Sequence, residues 1–204
     1  DSRIMHINGT NNLWRCCKTP DSYFFSKYVI PWGWASWRRA WKLLEADCHS
    51  WQESSVQSNI QNYLHSSAES EHWSTIFSSI KKHPDKLTGY DYAWQFTCLK
   101  YNGLAITPTS NLITNIGFGS GATHTQQINY SHIIPAKALK FPLSHPTEVK
   151  ANPEIDEWIF RVHALYEEAR PWHRRLNQYR IQLGALRQRL FKYSISRPHD
   201  NAPI

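Results

Sequence analysis

The stretch GYDYAWQFTCLKYNGLAITP, residues 89–108, runs from a turn through a helix and a helix stop into a strand. Trp94, Cys98 and Tyr101 recur at helical spacing and so share one face. Asn102-Gly103 then ends the helix, because both residues tolerate the left-handed conformation common just after a helix C-terminus. Leu104–Pro108 has the composition of a short strand. A helix feeding directly into a strand is the unit of a layered α/β domain.

The same alternation extends outward. SRIMHING (2–9) and SYFFSKYVI (22–30) carry β-branched and aromatic residues between turn formers, which predicts two strands. Trp37, Trp41 and Leu44 step by helical intervals among Arg38, Arg39, Lys42 and Glu45, which predicts a helix over 37–46 with Ser36 as its N-cap. Between 52 and 83, Val56, Ile60 and Tyr63, then Trp73, Phe77 and Ile80, mark two polar-faced helices. Downstream, NLITNIGFGSGATHT (111–125) reads as a strand passing into a glycine-rich loop, and KALKFPL (137–143) as a last short strand. The expected class is α/β, over residues 1–149.

From Pro153 the pattern changes. Ile155, Ile159, Val162, Tyr166 and Ala169, then Trp172, Leu176, Tyr179, Leu183, Leu186, Leu190 and Tyr193, alternate steps of four and three. This predicts a long basic heptad-patterned helix over 153–195, broken near Pro171, with 196–204 as a disordered end. Arginines at 174, 175, 180, 187 and 189 flank the seam, which therefore suits packing on its own domain, self-association, or contact with an acidic membrane surface.

The totals narrow the classes. A chain of 204 residues with 41% hydrophobic and 14% aromatic content has ample apolar surface for a core without metals or disulfides. The net charge of +7 points to an anionic partner. No apolar run reaches membrane-span length, and Cys16-Cys17, Cys48 and Cys98 lack metal or redox spacing, so a reduced, cytoplasmic protein is expected, at most peripheral to the inner face of a membrane. Nucleic acid is not an expected partner, because no recognised binding motif accompanies the charge. Metal signatures, a nucleophile elbow and a P-loop are all missing. GFGSG (117–121) alone does not specify phosphate, since no helix N-terminus follows it.

PWGWASWRRAW (31–41) sets four tryptophans beside two arginines. Taken in order, DSRIMHING, SYFFSKYVIPWGWASWRRAW, GYDYAWQFTCLKYNGLAITPTSNLITNIGFGSGATHT and FPLSHP resemble the C-terminal half of bacterial GT-A-type nucleotide-sugar glycosyltransferases, a family 2-like group also labelled hemolytic-protein-like. The resemblance implies a GT-A-like domain in which residues 1–149 form the acceptor-side half. It implies an inverting transferase of polysaccharide or glycoconjugate assembly, with a nucleotide-sugar donor and a glycan acceptor. Family members hold the donor through Mn²⁺ or Mg²⁺ on an acidic D-x-D-like motif, and these residues contain none. The expectation is therefore a fragment, inactive and poorly stable alone, whose donor-binding half precedes Asp1.

Within the resemblance, Asp91 matches the acidic residue near the acceptor, where it would take the proton from the attacking hydroxyl. An Asp in a helix's first turn is the structural alternative. Tyr90 and Trp94 would wall that carboxylate. Trp32 and Trp34 would stack on sugar faces, with Arg38 meeting a phosphate or acidic sugar, while Trp37 and Trp41 would be core. Gly117, Gly119 and His124 match the glycine-rich loop and its histidine, which would contact the diphosphate or the metal. A non-catalytic carbohydrate- or protein-binding scaffold derived from a transferase is the alternative to the enzyme.

Overall fold

A computed structural model of the chain describes residues 1–13, 19–86, 89–114 and 134–163. Its four-stranded mixed sheet contains β1 (Ile4–Asn8), β2 (Tyr23–Ser26), β3 (Trp34–Ser36) and β4 (Leu104–Pro108), in the order β2-β4-β1-β3. β1 and β4 run parallel at the centre, and the two edge strands are antiparallel to their neighbours. A parallel pair requires a long crossover, and here it includes α1 (Arg38–Trp41), α2 (Ser54–Tyr63), α3 (Ser67–Lys82) and α4 (Asp91–Lys100). A fifth helix, α5 (Pro153–His163), follows the sheet. The class is α/β, as the alternation of elements implies.

Buried polar side chains join the central strands. Asn8 Nδ2 donates to Thr107 Oγ1 at 2.8 Å and to the Tyr28 carbonyl at 3.2 Å, while its Oδ1 accepts from the Ile30 amide at 2.7 Å. One asparagine thus links β1, β4 and the segment after β2, with both ends of its amide satisfied in the interior.

The strand read over 22–30 is shorter in the fold. β2 stops at Ser26 because the next backbone groups find side-chain partners: Gln95 Nε2 donates to the Lys27 carbonyl at 2.8 Å and Gln95 Oε1 accepts from the Val29 amide at 2.9 Å. KALKFPL forms no strand either; its residues are largely exposed, Phe141 most of all, so no buried face holds it in a sheet.

The two polar-faced helices match their patterns. α2 buries Ile60, and α3 buries Trp73, Phe77 and Ile80. α3 starts with a capping box in which Ser66 Oγ accepts from the Glu69 amide and Glu69 Oε2 accepts from the Ser66 amide. Phe77, fully buried, sits among Trp51, Trp73 and Phe96 with ring centroids 5.4, 5.5 and 5.0 Å away.

α4 is enclosed on nearly all sides, with Ala93 to Leu99 buried in succession. Its end is a Schellman closure: the Gly103 amide bonds to the Cys98 carbonyl at 2.7 Å and the Asn102 amide to the Leu99 carbonyl at 3.1 Å, with Asn102 at φ 50. Trp94 and Cys98 pack with Met5 and Ala40, but Tyr101 is exposed, past the point where the helix turns away.

α5 opens at an Asn152 cap, whose Oδ1 accepts from the Glu154 and Ile155 amides, with Pro153 at the first helical position. It buries Ile155, Asp156, Ile159 and Phe160. The compact unit runs from Asp1 to Ala164; the second unit, Leu165–Ile204, lies outside the described residues, and with it the break at Pro171, the seam from Trp172 to Tyr193 and the 196–204 end. No helix among the described residues is long and apolar enough to cross a membrane.

Candidate functional site

Two glycines place the tryptophan segment on the sheet. A Cβ on Gly9 would lie 2.1 Å from the Gly33 carbonyl oxygen, so β1 can approach the turn before β3 only without a side chain there. Gly33 itself has φ +58 and turns the chain so that Trp34 pairs with Asn8 at the start of β3.

Trp34 stacks on His6 of β1, with centroids 5.1 Å apart and planes inclined by 16°. It also meets Trp41 at 5.6 Å, Tyr90 at 5.9 Å and Trp94 at 6.4 Å. Trp41 closes the set against Tyr90 at 5.5 Å and Trp94 at 5.1 Å. Trp94 is buried, Trp34 half-buried, and Trp41 and Tyr90 are 38% and 45% exposed. Rings from β3, α1 and the start of α4 therefore form one aromatic surface with a buried floor and an open top.

The floor includes a residue that sequence reasoning missed. His6 Nδ1 accepts the Trp94 indole N–H at 3.0 Å, and burial lowers its pKa to about 4, so the ring is neutral near pH 7. Its Nε2 has no partner in hydrogen-bonding geometry, although the Ile30 carbonyl and the Asn8 side chain lie nearby. A lone histidine within a strand carries no local signal of this role, because Trp94 is 88 residues away.

α1 is shorter than the spacing over 37–46 predicts. The helix is a single turn, Arg38–Trp41, and its N-cap is Trp37, because Ser36 belongs to β3 and gives its hydroxyl to the Met5 carbonyl at 2.7 Å. Trp37 and Trp41 are not core. Both are exposed, since the short helix presents its tryptophans at the edge of the sheet; Trp37 lies under the Arg39 guanidinium, 5.0 Å from the ring centroid.

The other expected site residues are only partly assembled. Asp91 is half-buried in the first turn of α4, its Oδ1 folded back to within 2.6 Å of where a Gly89 Cβ would stand. Tyr90 before it faces Trp34 and Trp41, whereas Tyr92 after it turns to Trp73 on α3, so the two tyrosines diverge around the carboxylate. Arg38 is exposed on α1. Trp32 is half-buried, and its carbonyl accepts from Thr10 Oγ1 at 2.8 Å. Gly117, Gly119 and His124 lie outside the described residues.

Glu45, Asp47 and His49 are the one group of three potential metal ligands among the described residues. At least one donor atom of each is already engaged. Glu45 Oε1 accepts from the Ser50 amide at 2.6 Å, Oε2 pairs with Lys100 Nζ at 2.7 Å, and Asp47 Oδ1 meets His49 Nδ1 at 2.9 Å. Burial pushes the Glu45 carboxyl up, but Lys100 and Ser50 outweigh it and hold the pKa below the ordinary value. These bonds organise the turn into the 3-10 segment His49–Gln52.

A buried charged network lies where β2, α3 and α5 meet. Asp156 Oδ1 accepts from Ser26 Oγ at 2.6 Å and Oδ2 from the Lys27 amide at 3.3 Å; Lys27 Nζ donates to the Tyr63 carbonyl at 3.0 Å; and Tyr28 gives its hydroxyl to Glu69. Burial raises the Asp156 pKa to about 7 and lowers that of Lys27.

Comparison of the chain with protein-family models, curated proteins and solved structures finds no match.

Proposed function

We propose that this chain binds a glycan on the surface formed by Trp34, Trp41 and Tyr90, and that it is the acceptor side of an inverting glycosyltransferase using a nucleotide-sugar donor. The observation that carries the reading is that surface: three rings, open to solvent on one side and held on a buried His6–Trp94 floor, next to a helix N-terminus bearing a carboxylate. Sugar rings present C–H faces to aromatic planes, and a rigid platform limits the conformational entropy lost on binding.

Asp91 is the proposed base. It immediately follows Tyr90, which belongs to the platform, so an acceptor on that ring has a carboxylate within one residue of its contact. The carboxylate would take the proton of the acceptor hydroxyl as its oxygen attacks the anomeric carbon. The sugar nucleotide and its Mn²⁺ or Mg²⁺ belong, by the resemblance, to an acidic motif that these 204 residues do not contain. The loop with Gly117, Gly119 and His124 is proposed to meet the leaving diphosphate.

A non-catalytic scaffold is the second reading, favoured by the position of Asp91 in the first turn of α4, where a carboxylate stabilises the helix without any chemistry. Titrating the chain with a panel of oligosaccharides, followed by tryptophan fluorescence, tests the binding step. Saturable binding lost in Trp41→Ala supports the platform, and no binding of any saccharide sinks it. With a donor-binding half supplied, loss of transfer in Asp91→Asn with retained acceptor binding separates the enzyme from the scaffold.

A further inference from the structure

Three cations, Arg38, Arg39 and Lys42, share the segment of the exposed Trp37 and Trp41, and they are not equivalent. Arg39 is engaged: it donates to the Ser2 carbonyl at 2.8 Å and to the Ile4 carbonyl at 2.5 Å while lying over Trp37. Arg38 and Lys42 are exposed, and among the described residues the ion pairs are Arg3–Asp1, His49 with Glu45 and Asp47, Lys100–Glu45 and Arg161–Glu157. Neither Arg38 nor Lys42 has an acidic partner in that set. Arg38 stands three positions before Trp41 and four before Lys42, which places all three on one side of the helical turn.

The helical turn that carries the platform ring thus also carries two exposed cations that form none of the ion pairs among the described residues. A guanidinium matches a planar carboxylate through paired N–H donors, and a long side chain next to an indole can reach the edge of a ring stacked on it. A hexuronate has its carboxylate on the ring carbon itself, fixed at the edge of the stacked sugar, whereas an ester phosphate swings on a flexible bond.

We infer that the glycan bound at Trp34, Trp41 and Tyr90 carries uronic acid residues, with Arg38 and Lys42 receiving the carboxylate. This rests on the platform reading and deepens it to a substrate class. Asp91, on the α4 side, repels a second carboxylate there and so favours an orientation with the acidic group towards α1.

The test compares a uronate-containing oligosaccharide with its carboxyl-reduced neutral counterpart and with a phosphorylated oligosaccharide of equal length, each titrated into the full chain by calorimetry. The uronate form should bind roughly tenfold tighter than the reduced form. Raising the salt concentration should narrow that gap. Arg38→Gln with Lys42→Gln should remove the advantage of the uronate form over the reduced form; both residues are exposed, so folding is not at stake. Equal binding of uronate and reduced forms overturns the inference while the platform stands. Tighter binding of the phosphorylated form overturns the choice of carboxylate. Absence of binding by all three overturns the platform reading itself.

Discussion

Asp156→Asn is the most informative perturbation of the fold. The wild-type carboxyl is fully buried and titrates at about 7, against 3.8 for the free side chain, because burial outweighs its bond to Ser26 and its attraction to Lys27. Its folded pKa lies above its unfolded one, so the native state holds the proton more tightly. The stabilisation is complete below pH 3.8 and is lost as pH rises through about 7. From 3.8 to about 7 is some three units, and at about 1.4 kcal/mol each the loss is roughly 4 kcal/mol. The amide of the variant keeps one oxygen, which can still accept from Ser26 Oγ; its NH2 takes the place of the oxygen that accepts from the Lys27 amide, and the group does not titrate. Glu69 of α3 and Lys27 are the other charged groups facing this position, and both are present in the two proteins. Urea unfolding of both between pH 4 and 8 isolates the effect as a difference. The Asp156→Asn variant should gain on wild type by several kcal/mol across that range; a difference flat to within about 1 kcal/mol refutes the burial argument.

His6 titrates with the opposite slope. Its pKa falls from 6.5 to about 4 through burial, so its contribution is present above 6.5 and disappears as pH falls through about 4, amounting to roughly 3 kcal/mol; His6→Gln should flatten the acid limb of the same unfolding series. Phe77→Ala removes the centre of a packed ring cluster and should cost about 3–5 kcal/mol in chemical denaturation. Ser66→Ala deletes half of a capping box and should cost about 1 kcal/mol. Gly9→Ala should prevent β3 from pairing and weaken the Trp34 contribution to near-UV circular dichroism, and Gly33→Ala should also disturb β3, because it adds the strain of a side chain at φ +58 to contacts of 2.6 and 2.8 Å with Ile113 Cδ1 and Cγ2.

Elements whose determinants lie within a few residues were readable in advance. The seam of α3, the Asn102-Gly103 stop and the cores of β1 and β4 each depend on spacing along one segment. Ser66 and Glu69 stand at the spacing of a capping box, a signal contained in four residues. What failed depended on distant partners. β2 ends where Gln95, 68 residues from Lys27, captures the backbone. α1 ends early, and its tryptophans face outward because the sheet edge offers Trp41 a place among Trp34, Tyr90 and Trp94. Of the expected site, Trp34, Tyr90 and Trp94 come together as one surface, while Trp41, assigned inside, completes it.

The parallel pairing of β1 with β4 also sets a timetable. Asn8 and Thr107 touch across the centre of the sheet yet are 99 residues apart in the chain. At about 5–20 residues per second, a ribosome finishes β1 roughly 5–20 s before it finishes β4. During that interval β1 can meet the antiparallel β3 and the segment after β2, but its parallel neighbour is missing, and the sheet can close only after α4 has been made. β1 thus waits for its central partner, and the β1–β4 pairing should be a late contact in synthesis and a slow one to recover after dilution from denaturant.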